Sequence, residues 1–121
     1  LKINRKKSIM AIYKNNNKYD QSNIELKRLG YINYYNKKSD KKLKYIDYGV
    51  SYLNKNIFKN CKKNSKFDLS LIFKNISKKN MLKGIIVKKR FYEIGSYNGI
   101  KDLEKYLKKK WNLQIYTSKI F

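Results

Sequence analysis

The hydrophobic pattern of the chain changes its period near the middle, and this change limits the folds that the chain can adopt. Residues 8–14 and 45–53 are short apolar runs rich in β-branched and aromatic side chains, which is typical of strands. Residues 23–27 and 31–35 alternate about Gly30 and predict a hairpin. From Asp68 onward the spacing becomes helical, because apolar residues recur at i, i+3, i+4 and i+7: Leu69, Ile72, Phe73 and Ile76.

The second half of the chain predicts a strand followed by a helix. Residues 82–89 form a strand with Ile85-Ile86-Val87 as its core, and Phe91 to Gly95 continue as a short extended segment. Ser96 then caps a helix with one apolar face, formed by Ile100, Leu103, Leu107 and Trp111. We expect this helix to end near Lys108–Lys110, and Leu103, Leu107 and Trp111 to be core. Strands followed by helix, strand and helix predict an α/β fold with a mixed sheet and two or more flanking helices.

Several classes of protein are excluded by what the 121 residues contain. A hydrophobic content of 41% with 15% aromatics is too apolar for a disordered tail. The chain has no histidine and one cysteine, Cys61, which rules out a disulfide framework, a zinc site and histidine-assisted nucleophilic catalysis within it. We expect Cys61 to fill a half-buried apolar position. With no apolar run of the roughly 20 residues that span a bilayer, and no signal peptide at its start, we expect a cytoplasmic protein without a membrane partner.

The net charge of +23 first suggests a nucleic-acid partner. However, 28 of the 31 basic residues are Lys, and Lys, Asn, Ile and Tyr together fill 70 of 121 positions. These four residues have codons made mainly of A and T, so nucleotide bias explains the composition. The lysines are also spread along the chain, and Arg, the better reader of phosphate and guanine, is scarce. We therefore do not expect nucleic acid as the partner, although a small basic RNA-binding protein of ribosomal type remains the alternative.

The string R-F-Y-E-I-G-S at 90–96, followed by Gly99 and an amphipathic helix, resembles the C-terminal signature of sugar-phosphate nucleotidyltransferases. The similarity is greatest to the branch of heptose-1-phosphate and mannose-1-phosphate guanylyltransferases. Five further strings follow in the order of that family: Y-K-N-N at 13–16, D-Q-S-N-I at 20–24, Y-N-K-K at 35–38, Y-I-D-Y-G at 45–49 and F-D-L at 67–69. The resemblance extends from about residue 8 to residue 110.

The resemblance implies a Rossmann-like fold and a two-substrate reaction. A sugar 1-phosphate oxygen attacks the α-phosphorus of a nucleoside triphosphate, which we expect to be GTP, and yields a nucleotide sugar and pyrophosphate. Mg²⁺ is the implied cofactor. Residues 1–121 would form one partial domain, the sugar-phosphate-binding C-terminal half. The Gly-rich loop that holds the triphosphate in this family is not found in the sequence, so we expect the isolated chain to be inactive.

The resemblance also implies roles for individual residues. Glu93 matches the carboxylate that holds Mg²⁺, and Gly95 would allow a tight turn beside the metal. Lys37 matches the lysine that contacts the sugar phosphate, and Gly49 a glycine whose small size admits the sugar ring. Asn23 and Asp47 are candidates for binding sugar hydroxyls. No side chain is assigned a catalytic role, and Asn36 replaces an acid that is usual in the family.

Each of these assignments has a purely structural alternative. Glu93 could pair with Arg90 or a nearby lysine. Lys37 could be a solvated surface lysine, and Gly49 could serve packing or a bulge. Asn23 could cap a turn, and Asp47 could neutralise a neighbouring lysine. For Asp68 we favour an N-cap over a ligand role.

Overall fold

A computed structural model describes residues 7–35 and 42–118 of the chain. Its strands are β1 (Ser8–Lys14), β2 (Ile24–Leu26), β3 (Ile32–Tyr34), β4 (Tyr45–Tyr52) and β5 (Leu82–Val87). Its helices are α1 (Leu69–Lys78) and α2 (Tyr97–Ser118), with short 3₁₀ turns at Arg28–Gly30 and Lys55–Phe58. The fold class is therefore α/β with a mixed sheet, as the order of patterns predicts. The chain forms two compact units, one ending at Lys89 and the other beginning at Arg90.

The five strands of the first unit form one sheet in the order β3-β2-β4-β1-β5. β1 pairs with β5 in parallel and with β4 in antiparallel, and the hairpin of β2 and β3 is also antiparallel. β2 joins β4 through a single pair, Ile24 opposite Tyr45. The two edges of the sheet approach each other at one point, where Tyr31 forms an isolated bridge with Lys83.

The core lies on the face of the sheet against which α1 packs. Its buried members are Met10, Ile12, Ile24, Ile32, Phe73, Ile76 and Leu82. Alternate residues of β1 point into this core, because side chains on a strand alternate between its two faces. The core leaves no space for a side chain at Gly84, where a Cβ would lie 2.7 Å from Ile12 Cδ1 and Ile32 Cγ2.

Helix α1 begins and packs as its sequence predicts. The Asp68 side chain accepts a hydrogen bond of 2.8 Å from Ser70 N–H, so Asp68 is the N-cap. Phe73 and Ile76 are buried, and the Phe73 ring contacts Tyr34 of β3 at a centroid distance of 5.3 Å. Ser77 also faces the sheet, where its Oγ accepts a hydrogen bond from Tyr34 N–H.

Three expectations about apolar residues and helix length are wrong. Ile85 and Ile86 are 42% and 51% exposed rather than core, because consecutive residues of edge strand β5 point to opposite faces and neither side chain is covered among the described residues. Leu107 and Trp111 are 44% and 66% exposed rather than core, because the segment before α2 stacks Tyr92 on Tyr106 and not on these two side chains. Helix α2 also continues past Lys110 to Ser118. Cys61 is half-buried, as expected.

None of the helices in the described part of the chain combines the length and the apolar character that crossing a bilayer requires.

Candidate functional site

A buried polar network shapes the loop between β1 and β2. Asn15, only 2% exposed, donates from Nδ2 to Asp20 O at 2.6 Å and to Ser22 Oγ at 3.2 Å. Its Oδ1 accepts from Tyr19 N–H at 3.1 Å. Asn17 adopts a positive φ of 59° and its Oδ1 accepts from Ser22 N–H at 2.7 Å. Because buried polar groups require partners, this network fixes the loop and the start of β2.

Asn23 follows directly from that network and is held from both sides by backbone hydrogen bonds. Its N–H donates to Tyr45 O at 3.0 Å, and its carbonyl accepts from Tyr35 N–H at 2.9 Å. The side chain then reaches β4, where Oδ1 accepts from Asp47 N–H at 3.2 Å. The structure thus brings together two of the residues singled out from the sequence.

Asp47 begins an irregular stretch of β4. Met10 and Ile12 of β1 are two residues apart, whereas their partners Ser51 and Asp47 are four residues apart, so β4 bulges between them. Gly49 lies within the bulge with a φ of 85°, which favours glycine, and Asp47 Oδ1 accepts from Gly49 N–H at 2.8 Å. A Cβ at Gly49 would meet no atom within 4 Å, so the space beside it is open.

Asp47 points to the same face as Ile12, at the border of the core. Burial raises the pKa of Asp47, and the hydrogen bond from Gly49 N–H opposes this shift only in part. Burial also raises the pKa of Tyr34, with further contributions from the charges of Asp47 and Asp68. The Tyr34 phenol therefore lies within the electrostatic reach of the Asp47 carboxylate.

Several polar atoms of this group have no hydrogen-bond partner among the residues that the structure describes. Within residues 7–35 and 42–118, no group donates to Asp47 Oδ2, and Asn23 Nδ2 and the Tyr34 hydroxyl have no acceptor. We name the group of Asn23, Tyr34, Asp47 and Gly49 the β2–β4 cluster. It offers an acceptor and two donors, and the space at Gly49 is open, which suits the hydroxyl groups of a small polar ligand. Lys37 and Asn36 lie outside the described residues.

Glu93 belongs to the second unit, where it binds the start of α2. Its Oε2 accepts from Gly95 N–H at 2.7 Å and from Ser96 N–H at 3.0 Å, and its Oε1 accepts from the Ser96 hydroxyl. Ser96 Oγ in turn accepts from Gly99 N–H at 3.0 Å, which confirms Ser96 as the cap of α2. The pKa of Glu93 is lowered mainly by the hydrogen bond from the Ser96 hydroxyl, and the two backbone N–H donors lower it further.

These bonds limit how Glu93 could hold a metal ion. A carboxylate has about four lone-pair positions, and in Glu93 three of them already accept hydrogen bonds. Within residues 7–35 and 42–118 there is no group of three or more Asp, Glu, Cys or His side chains that could form a cation cage. Among the described residues, Glu93 would therefore hold Mg²⁺ as a single carboxylate ligand, with phosphate oxygens and water completing the shell, which is an arrangement common for this ion.

Arg90 pairs with Asp102 of α2 rather than with Glu93. The distance from Arg90 Nη2 to Asp102 Oδ2 is 2.6 Å, and this partner lowers the pKa of Asp102. The guanidinium also lies 4.4 Å from the ring centre of Tyr92, which stacks on Tyr106 at 4.6 Å. The ion pair and the stack attach the R-F-Y-E segment to the helix, so the alternative of an Arg90–Glu93 pair is wrong.

The need for glycine in this segment is greatest at Gly99 rather than at Gly95. Gly95 has no positive φ, and a Cβ there would lie 3.2 Å from Glu93 Oε2. A Cβ at Gly99 would collide with the carboxyl group and the backbone carbonyl of Glu93. The contribution of Tyr34 to the β2–β4 cluster was likewise missed, because its proximity to Asp47 depends on sheet pairing and not on spacing in the sequence.

Neither the known protein families nor the curated proteins contain a match to this chain.

Proposed function

We propose that this chain forms the sugar-phosphate side of a sugar-1-phosphate nucleotidyltransferase with a Rossmann-like fold. The observation that carries the proposal is the β2–β4 cluster, which brings Asn23, Asp47 and Gly49 together beside open space. These three residues come from the two strings D-Q-S-N-I and Y-I-D-Y-G that resemble this family. In the proposed reaction a sugar 1-phosphate and a nucleoside triphosphate, GTP by the resemblance, give a nucleotide sugar and pyrophosphate.

The chemistry of the cluster is suited to a sugar ring. Asp47 Oδ2 would accept a hydrogen bond from a sugar hydroxyl, and Asn23 Nδ2 and the Tyr34 hydroxyl would donate to another. The network of Asn15 and Ser22 fixes the backbone at Asn23, so little conformational freedom is lost when a ligand binds. The lack of a Cβ at Gly49 would allow the ring to approach the bulge closely.

Position in the sheet also supports the proposal. Asp47 lies opposite Ile12 near the carboxyl end of β1, and Asn23 follows the loop that leaves that end. In α/β sheets ligands bind at the carboxyl ends of the parallel strands. Lys37, by its resemblance, would contact the phosphate of the same ligand.

Glu93 would supply one carboxylate to Mg²⁺, whose charge would neutralise the phosphate oxygens during transfer. The Ser96 hydroxyl and the two backbone donors would fix the orientation of that carboxylate. Because its pKa is lowered, Glu93 is ionised at neutral pH, as a ligand of Mg²⁺ must be.

Titration of the isotope-labelled 121-residue chain with mannose 1-phosphate and heptose 1-phosphate, followed by NMR, tests the proposal. We expect saturable shifts at the amides of Asn23, Asp47 and Gly49 and none with mannitol at the same concentration. Shifts confined to surface lysines would contradict the proposal. We also expect that the chain alone releases no pyrophosphate when it is given these sugar phosphates and each nucleoside triphosphate. Rapid release would contradict the proposal that the chain forms only the sugar-phosphate side of the active site.

A further inference from the structure

A second group of polar side chains lies at the opposite, amino end of β1 and β5. Lys7 precedes β1 directly, Lys83 is the second residue of β5, and Tyr31 bridges Lys83 through its backbone. The Lys7 ammonium donates to the Tyr31 hydroxyl, and the Nζ atoms of Lys7 and Lys83 lie 4.6 and 5.0 Å from the centre of its ring. Two ammonium groups thus converge on one phenol.

The burial of these lysines distinguishes them from the other lysines of the chain. Within the described ranges only four lysines are half-buried, namely Lys7, Lys27, Lys74 and Lys83, and the rest are exposed. Three of the four belong to this corner, since Lys27 N–H donates to Tyr31 O at 2.7 Å and Lys27 Nζ donates to Asn80 Oδ1 at 2.6 Å. Codon bias explains many lysines on a surface, but it does not explain this concentration of half-buried ones.

The corner holds many hydrogen-bond donors and, among the described residues, no anionic acceptor. Tyr31 accepts from Lys7, so its own O–H remains to donate, and each ammonium has further N–H groups. In the part of the chain that the structure describes, no carboxylate pairs with Lys7 or Lys83. Partly buried charges ordinarily have a partner of opposite charge, because their desolvation is otherwise uncompensated. The hydrogen bond from Lys7 lowers the pKa of Tyr31, and the charges of both lysines act in the same direction, as expected where positive potential is concentrated.

We infer that Lys7, Lys83 and Tyr31 form a binding site for a phosphate-class oxyanion. Such an anion would accept from both ammonium groups and from the phenol, and its charge would compensate the two cations at once. The same chemistry is offered by a free phosphate dianion and by the phosphodiester of a single-stranded nucleic acid. The site is separate from the β2–β4 cluster and does not depend on the proposed function.

The inference is tested by NMR titration of the 121-residue chain with inorganic phosphate, against sodium chloride at the same ionic strength. We expect saturable shifts at the Tyr31 ring and the Lys83 amide with phosphate only. Lys83→Gln should weaken binding about tenfold, because it removes one charge-assisted hydrogen bond. Lys83→Arg, which keeps the charge, should retain most of the affinity. Lys59→Gln, which removes an exposed lysine elsewhere, should leave it unchanged.

A parallel titration with a single-stranded oligonucleotide identifies the source of the phosphate. If the chain binds the oligonucleotide and Lys83→Gln, but not Lys59→Gln, lowers that affinity, the phosphate at the site is that of a nucleic acid. If the chain binds inorganic phosphate and not the oligonucleotide, the ligand is the free ion. The inference is overturned if Lys83→Gln and Lys59→Gln lose affinity equally, or if sodium chloride causes the same NMR shifts as phosphate. Circular dichroism of each variant verifies that it folds. If Lys83→Gln does not fold, Lys7→Gln, which removes the other ammonium group, replaces it with the same expected loss of affinity.

Discussion

Asn23 and Asp47 are joined by a hydrogen bond of 3.2 Å from the backbone N–H of Asp47 to Asn23 Oδ1. This bond links the residue before β2 to β4 and adds to the single register pair of the two strands, Ile24 opposite Tyr45. It places an amide and a half-buried carboxylate side by side, next to the open space at Gly49.

Asp47 should make the stability of the protein depend on pH in a direction opposite to that of most acids. Burial raises its folded-state pKa, so the folded protein binds the proton more tightly than the unfolded chain. The resulting stabilisation is complete below the unfolded pKa and is lost as the pH rises through the raised value. Asp47→Asn should abolish this decline, which urea unfolding across the acidic range would measure. Glu104→Gln, the control, should keep the decline in unfolding free energy. The same decline in Asp47→Asn would contradict this account.

Gly49→Ala should weaken sugar 1-phosphate binding by more than its effect on folding explains. The added methyl group meets no protein atom, so the main structural cost is the positive φ of 85°, about 1 kcal/mol. Gly30→Ala is a matched control, because Gly30 has a φ of 78° and lies in the turn before β3. We expect similar losses of unfolding free energy in the two variants, and loss of ligand binding only in Gly49→Ala. Equal ligand affinity in the two variants would exclude a sugar ring beside Gly49.

Gly99→Ala should destabilise the start of α2, although alanine is ordinarily favoured over glycine in a helix by about 1 kcal/mol. The new Cβ would collide with the carboxyl group and the backbone carbonyl of Glu93, and the carbonyl cannot move without moving the chain. Faster hydrogen exchange of the amides at 97–100 would measure the loss. Gly95→Ala meets only the end of the Glu93 side chain and should have little effect. Slower exchange in Gly99→Ala would show that helix propensity outweighs the contact.

Ser96→Ala should remove both the helix cap and the main donor to Glu93. Loss of a serine cap costs about 1 kcal/mol in helix stability. The lowered pKa of Glu93 contributes stability that is present above the unfolded pKa and lost as the pH falls through the folded value. Removing the hydroxyl should raise the pKa of Glu93, which NMR titration of its carboxyl carbon would measure. Ser70→Ala, a serine in the first turn of α1, is the control, and an unchanged Glu93 titration in Ser96→Ala would contradict the assigned bond.

The parts of the fold that were predicted correctly are those with local causes. β1 is fixed by a continuous apolar run, and α1 by the Asp68 cap followed by helical spacing. The bond between Asn23 and Asp47 could not be predicted, because it depends on the register of two strands 24 residues apart. Periodicity likewise identified the apolar face of α2 at Trp111 but could not show what covers it, and the prediction of a core residue there was wrong.

The affinity of the chain for mannose 1-phosphate and heptose 1-phosphate, compared between Asp47→Asn and Glu104→Gln, tests the central claim most directly. Asp47→Asn keeps the shape of the side chain and replaces one carboxylate oxygen by an amide, so a sugar hydroxyl loses its charged acceptor. We predict that affinity falls about tenfold in Asp47→Asn, as for the loss of a hydrogen bond to a charged group, and is unchanged in Glu104→Gln. Equal affinity in the two variants, measured by calorimetry on folded protein, would contradict a sugar-phosphate site at the β2–β4 cluster.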